Sequence, residues 1–427
     1  VPASHHPPST EDDASATPLR HVLEMFGSAA EVDAAQWNAL LGMQAHPTPF
    51  LAHAYLAAME QSGSATPDTG WTPVYFTLRS EESATGHPAP WDAACVLYLK
   101  PHSYGEYVFD WAWADAYERH GLPYYPKAVV AVPFTPVPGS RLLARDAHQR
   151  EMLLRAVVGW ARDAGLSSLH MLFADEADLQ AASSAGLMLR HTVQFHWQNQ
   201  HPQTGLPFGD FDAFLASLHQ EKRKKIRQER RRVLDAGVHF RILEGTQISA
   251  ADWDFFYACY ERTYLEHGNA PYLTRTFFEH MRLDMSEHWV LFVAEREGRP
   301  IASSLIALQP AVDNHPTVAY GRYWGALERV DCLHFEACYY QPLMWCIEKG
   351  IARFEGGAQG QHKMARALLP VQTTSAHWLA HPGFADAVER FLEREGQGVA
   401  HYLDELRERS PFRHAAPAAE DLARVQG

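Results

Sequence analysis

EVDAAQWNAL (residues 31–40) and QISAADWDFF (residues 247–256) share an aliphatic residue, a short polar one, an Ala-Ala pair and a tryptophan at matching offsets. The likeness continues downstream in the same order. PFLAHAYLAAM (49–59) matches PYLTRTFFEHM (271–281), and AACVLYLKP (93–101) matches ASSLIALQP (302–310). YGEY (104–107) then matches YGRY (320–323), and DAGLSSLHMLF (163–173) matches EKGIARFEGGA (348–358). One such match is weak. A run of them in one order points to a tandem duplication with a unit of roughly 200 residues, long enough for two domains rather than a solenoid.

Each unit carries the same coarse order. Helices are expected at 34–41 and 52–61 in the first, and at 250–264 and 275–283 in the second. Two strands follow in hairpin order: TPVYFTLRS and AACVLYLK, then HWVLFVAER and PIASSLIALQ across an EGR turn. A third strand is expected to hold each YGxY pair. A long helix (149–164; 336–349) ends at Gly165 or Gly350 and leads straight into another strand. The class is α/β (α+β), a mixed sheet flanked by helices in each half. Its order is that seen in GNAT-type acyltransferase domains, a likeness of fold that does not by itself fix chemistry.

Composition narrows the function classes. A chain of 427 residues suits two or three domains. A net charge of −14 argues against a general nucleic-acid binder. Five cysteines (Cys95, Cys259, Cys332, Cys338, Cys346) with no CxxC pair fit a reducing compartment. Residues 1–17 lack the basic and apolar regions of a signal peptide, and no apolar run has the length of a membrane span. The expectation is a cytoplasmic protein without a membrane span. Its expected parts are a disordered tail (1–20), domains at 21–207 and 238–410, a connecting helix at 208–237 and a flexible tail (411–427). Nothing in the sequence sets the oligomeric state.

Positive charge is concentrated on that connection. Lys222, Arg223, Lys224, Lys225, Arg227, Arg230, Arg231 and Arg232 are opposed locally only by Glu229. Phe211, Phe214, Leu215, Leu218, Ile226 and Val233 mostly follow a helical period; Asp210 suits the start and Gly237 the end, so one long basic helix is expected. Lys224, Arg227 and Arg231 share a face. A charge run of this kind is either a solvated face or a phosphate-binding one.

These residues together resemble a known family. The basic KRKKIRQERRRV helix is followed by PYLTRTFF, YGRYWG, LHFEACYYQ and FEGGAQGQHKMARALLP. The first half adds HSYGEYVFDWAWADAYERHGLPYYPK and AVPFTPVPGSRLL. The resemblance is to the FemAB-like N-acyltransferases of peptidoglycan biosynthesis or recognition, and it runs from Phe50 to Arg413. It implies transfer of a carrier-borne acyl or aminoacyl group, from aminoacyl-tRNA in the better understood relatives, to an amine of a peptidoglycan precursor. It also implies that Arg223 and Arg227 contact the precursor's phosphates and that Lys363 lies at the site beside a Gly-rich turn.

Acyl transfer to an amine needs a proton acceptor, donors for the carbonyl oxygen, and two reactants held close. No GxSxG elbow and no Cys–His pair is evident, so no covalent nucleophile is expected. An acetyl-CoA enzyme of GNAT type would carry a [Arg/Gln]-x-x-Gly-x-[Gly/Ala] loop after YGRY to cradle a pyrophosphate. WGALERVDCLHFEA follows instead, and the literal match RFEGGA lies after the helix. The expected donor is therefore a carrier such as charged tRNA, with acyl-CoA as the alternative and a non-catalytic binder of precursor or RNA as the third reading. No cofactor and no metal is expected. His334 and Glu336 are candidates to deprotonate the amine beside Arg322 and Tyr323, although a cap or helix-dipole role would suit them equally. Glu355, Gln359, His362, Lys363 and Arg366 offer charge and donors around Gly356, Gly357 and Gly360. Glu106 and Asp110, set among tryptophans, suit either an ammonium-bearing substrate or a buried interface. PFTPVPGSRLL reads as a rigid loop contributing to a cleft between the halves.

Overall fold

The computed structural model describes residues 20–81, 89–311, 316–358 and 360–413; most of the two expected tails, 1–19 and 414–427, lies outside them, as does Gln359. The first half runs β1 (His21–Phe26), α1 (Ala34–Gly42), α2 (His53–Gln61), β2 (Thr72–Ser80), β3 (Ala93–Lys100), α3 (Trp111–Arg119), β4 (Lys127–Val130) and β5 (Leu143–Ala144). It continues with α4 (Ala147–Asp163), β6 (Ser168–Met171), α5 (Glu176–Ser184) and β7 (Met188–Gln198). After α6 (Phe211–Ser217) and α7 (Gln220–Asp235), the second half runs β8 (Val238–Glu244), α8 (Ala250–Glu266), α9 (Arg275–Asp284), β9 (Trp289–Arg296), β10 (Arg299–Gln309) and β11 (Val318–Ala326). A helix opened by α10 (Leu333–Phe335) and closed by α11 (Gln341–Glu348) leads to β12 (Arg353–Ala358), β13 (Leu369–Leu379) and the terminal α12 (Pro382–Glu408).

The repeated residues make repeated structure. Asp33 caps α1 by accepting from the Ala35 and Gln36 amides, and Ser249 caps α8 with Asp252 in a reciprocal box. The matching Trp37 and Trp253 are both buried in one core. That core spans the halves: Tyr55 of α2 meets Phe277 of α9 edge-to-face with ring centroids 5.3 Å apart.

All strands of the described residues join one mixed 13-stranded sheet, in the order β1-β2-β3-β4-β6-β13-β7-β12-β11-β10-β9-β8, with β5 beside β3. Among the strands of the described residues, only β4 with β6 and β11 with β12 pair in parallel. The last strand of each half lies beside the other half. β7 pairs with β12, and β13 pairs with β6 and with β7. This exchange buries both would-be edges and fuses the two sheets.

Three expected elements differ. YGEY is not a strand: Gly105 and Tyr107 have φ of 82° and 61°, which breaks extension, and the third strand is β4 instead. The basic helix is two helices, because buried Leu218 is extended (ψ 157°) and forms a bridge to Phe412. The helix after β11 contains a π turn at Glu336–Tyr340, next to Pro342, which has no N–H to return to the preceding turn.

Candidate functional site

The parallel pairing of β11 with β12 covers only Val318–Arg353, Ala319–Phe354 and Tyr320–Glu355, after which the strands part. Both strands are irregular at that point. On β11, Leu305 and Ile306 of β10 oppose Tyr323 and Gly321, so Arg322 is the extra residue of a bulge. On β12, the register to β7 shifts between Glu355 and Ala358. Glycine is required at Gly356, where a Cβ would stand 2.3 Å from the Leu368 side chain and 2.9 Å from the Phe195 carbonyl.

Two cavities meet at this gap. One, of about 320 Å³, lies on the α8 side and is lined by Tyr107, Tyr260, Tyr264, Gln194, Glu355 and the loop residues Phe134, Pro136 and Val137. The other, of about 150 Å³, lies on the helix side and is lined by His334, Cys338 and Tyr339. Gly321, Arg322, Tyr323 and Gly356 line both.

Arg322 donates from Nη2 to the Phe134 carbonyl (3.1 Å), to Thr135 Oγ1 (3.2 Å) and to the Tyr323 hydroxyl (3.0 Å). Its guanidinium lies 5.0 Å from the Phe50 ring centroid. It forms no salt bridge among the described residues, and its Nε has no hydrogen-bond partner there. Glu355 is 4% exposed. Its Oε1 pairs with Arg353 at 2.9 Å, while Oε2 has no hydrogen-bond partner. Burial, only partly offset by Arg353, pushes this carboxyl up to about 7.

The other expected site residues divide between two places. His334 faces the smaller cavity, and burial followed by its cationic neighbours lowers its imidazole to about 4. Lys363 donates to the Gly356 carbonyl at 2.6 Å, and burial lowers its ammonium to about 8. His362 is near Tyr339 (3.5 Å). Arg366 stacks 3.6 Å over the Phe335 ring and pairs with Glu229 at 2.8 Å. Glu336 is on another side of the π turn. It accepts from Arg230 (3.2 Å) and Gln341 (2.7 Å) and lines a groove of about 630 Å³ with Arg227, Arg230 and Arg231. Burial raises the Glu336 carboxyl, against the attraction of Arg230. Of the basic helix, Lys224 and Arg227 are exposed and Arg223 is half-buried; Arg227 has Asp212 at 3.8 Å.

Glu106 and Asp110 already hold an ammonium, that of Lys127. Its Nζ lies 2.7 Å from Glu106 and 2.5 Å from Asp110, and all three are buried. Burial pushes Glu106 up to about 7; burial also works on Asp110, but Lys127 and His170 hold it below the usual range. Both acids are thus buried around an ammonium that the chain itself supplies.

Sequence reasoning did not single out Tyr107, Gln194, Tyr260 or Tyr264. Tyr260 and Tyr264 carried a signal, being four apart on one face of α8. Gln194 carried none, since it reaches the cleft only through the exchanged strand β7, where it donates to the Pro136 carbonyl at 2.8 Å. No helix among the described residues is long and apolar enough to cross a membrane.

A family model, FemAB-like, described as peptidoglycan biosynthesis/recognition, matches residues 28–414. Among solved structures, FemX aligns over 86% of this chain and 100% of its own, at 10% identity and a TM-score of 0.47. L-PGS from Bacillus licheniformis aligns over 84% and 97%, at 11% identity and a TM-score of 0.46. A tandem GNAT protein from the clavulanic acid biosynthesis pathway aligns over 84% and 99%, at 13% identity and a TM-score of 0.41. No curated protein matches the chain.

Proposed function

We propose that this chain, which belongs to the FemAB-like family, is an acyltransferase with two GNAT-like halves that transfers a carrier-borne aminoacyl or acyl group to the amine of a peptidoglycan precursor, in the cytoplasm. The observation that carries this reading is the gap between β11 and β12, where cavities from both faces of the sheet share Gly321, Arg322, Tyr323 and Gly356. A donor entering from one face meets an acceptor from the other, with no covalent enzyme intermediate.

Glu355 takes the proton from the acceptor's ammonium, a role suited to a carboxyl near 7. The freed amine attacks the acyl carbon, the C–N bond forms, the carrier's C–O bond breaks, and the carrier oxygen leaves with a proton. Backbone N–H groups at the bulge and the Tyr323 hydroxyl serve the carbonyl oxygen. Lys363 holds the Gly-rich turn, and His334 and Tyr339 border the donor side. Glu336 sets Arg230 in the basic groove, where Arg223, Lys224 and Arg227 meet phosphates of the carrier or precursor.

The test presents purified protein with aminoacyl-tRNA or acetyl-CoA as donor and a nucleotide-linked muropeptide as acceptor. Transfer from aminoacyl-tRNA is expected. Transfer from acetyl-CoA alone would replace the donor, and binding without transfer from either would reduce the chain to a binder.

A further inference from the structure

The cleft on the α8 side holds a cation and an anion that do not neutralise each other. Arg322 and Glu355 both line it. Arg322 bonds only to neutral oxygens and lies among the Phe50 and Tyr323 rings. Glu355 spends one oxygen on Arg353 and leaves Oε2 without a hydrogen bond. A guanidinium partly withdrawn from water, as that of half-buried Arg322 is, without a counter-ion is costly, as is an unpaired buried carboxylate oxygen. A ligand carrying both complementary charges removes both costs.

We infer that the acceptor is an α-amino carboxylate, with its amine and its carboxylate on one carbon: the carboxylate sits on Arg322 and the amine beside Glu355. A lone phosphate suits the cleft poorly, because Glu355 would repel it once ionised. A plain alkylamine leaves Arg322 uncompensated. The planar fork of arginine matches a carboxylate, and the aromatic walls from Tyr107, Phe134, Tyr260 and Tyr264 leave room for little more than the reacting end of a larger molecule. Among precursor side chains this selects a diaminopimelate-type end over a lysine-type one, the two differing by that carboxylate. The inference rests on the acyltransferase reading above and names the substrate class within it.

The experiment compares two muropeptides, identical except that one ends in diaminopimelate and the other in lysine, as acceptors for the full chain with aminoacyl-tRNA as donor. The expected result is a preference for the diaminopimelate form on the order of 100-fold in kcat/KM, since a site built for a charged group rejects the analogue lacking it. R322Q should collapse that ratio toward one, and R322K should retain part of it. Calorimetric titration of free diaminopimelate and of Nα-acetyl-lysine amide, whose only amine has no carboxylate on its carbon, into wild type and R322Q reads the same preference without turnover. Equal use of the two muropeptides by the wild type, or an R322Q protein that is folded and keeps the full preference, overturns the inference while leaving the transferase reading intact. Should R322Q fail to fold, the wild-type ratio still decides. Tight, selective diaminopimelate binding with no transfer from any donor would uphold the site and sink the transferase reading instead.

Discussion

The two halves share their order of elements but not their chemistry. In both, a helix ends at a left-handed glycine, Gly165 or Gly350, and a strand begins that pairs in parallel with the third strand of its half. Counting along from those glycines, His170 holds the place of Glu355, and Met171 and Leu172 hold those of Gly356 and Gly357. Opposite them, Ala131 and Val132 stand where the second half has Arg322 and Tyr323. The first half is filled at this point: Met171, Leu172, Ala131 and Val132 are all buried. His170 bonds inward to Ser168 (2.8 Å) and His377 (2.7 Å). The second half opens there because glycine replaces side chain and a bulge re-aims an arginine. A duplicated scaffold thus gives one open cleft and one packed counterpart, which lends its loop (Phe134, Pro136, Val137) and its strand β7 to the other's lining.

The sharpest way to break this contrast is Glu355→Gln. Turnover should fall by about 10²–10⁴ if Glu355 is the proton acceptor. For the wild type, kcat/KM should rise as pH climbs through about 7, where the carboxyl ionises, and this limb should vanish in the variant. Stability runs the opposite way. The folded carboxyl, near 7, holds its proton more tightly than the unfolded one, near 4.5, so its burial costs stability as pH rises across that window. E355Q should therefore gain stability relative to wild type at pH 8 in thermal melts. A variant with full turnover would make the two halves chemically alike.

In the first half, Lys127→Met should act on folding instead. Stranding Glu106 and Asp110 without their ammonium should cost about 3–5 kcal/mol in denaturant unfolding, with turnover per folded molecule unchanged. Intact stability with weakened acceptor binding would assign the two acids to substrate after all. The smallest effect belongs to the connection between the halves. Arg223→Ala with Arg227→Ala should weaken RNA or precursor binding roughly tenfold and flatten its salt dependence. Unchanged binding would return these side chains to an ordinary solvated face.

Much of the fold was legible because duplication writes each element twice. Helix caps at Asp33 and Ser249, helix-ending glycines and hairpin strands are local signals, and the helices starting at Ala34, Ala250 and Arg275 begin where the pattern sets them. YGEY misled because its likeness to YGRY is one of letters: positive φ at Gly105 and Tyr107 turns it into a loop, yet Tyr107 still reaches the same cleft as Tyr323. Among the site residues, Tyr323, Arg322 and Glu355 converge on the cleft, and His334 and Lys363 border it. Glu336, only two residues beyond His334, faces the basic groove, because a π turn begins at that position. Hydrophobic period cannot register one extra residue in a helix turn.

The sequence by itself determined that this chain is two like units of mixed α/β type with positive charge gathered between them, since caps, turns and side-chain period are properties of neighbouring residues. Only the tertiary structure decided that the units exchange their last strands, that one parallel pair parts while its twin stays filled, and that Arg322, with no counter-ion among the described residues, and Glu355, with one oxygen free of hydrogen bonds, line one cleft. Those outcomes depend on which groups distant segments bring within reach of one another, and on a bulge and a glycine whose effect exists only against the strand beside them.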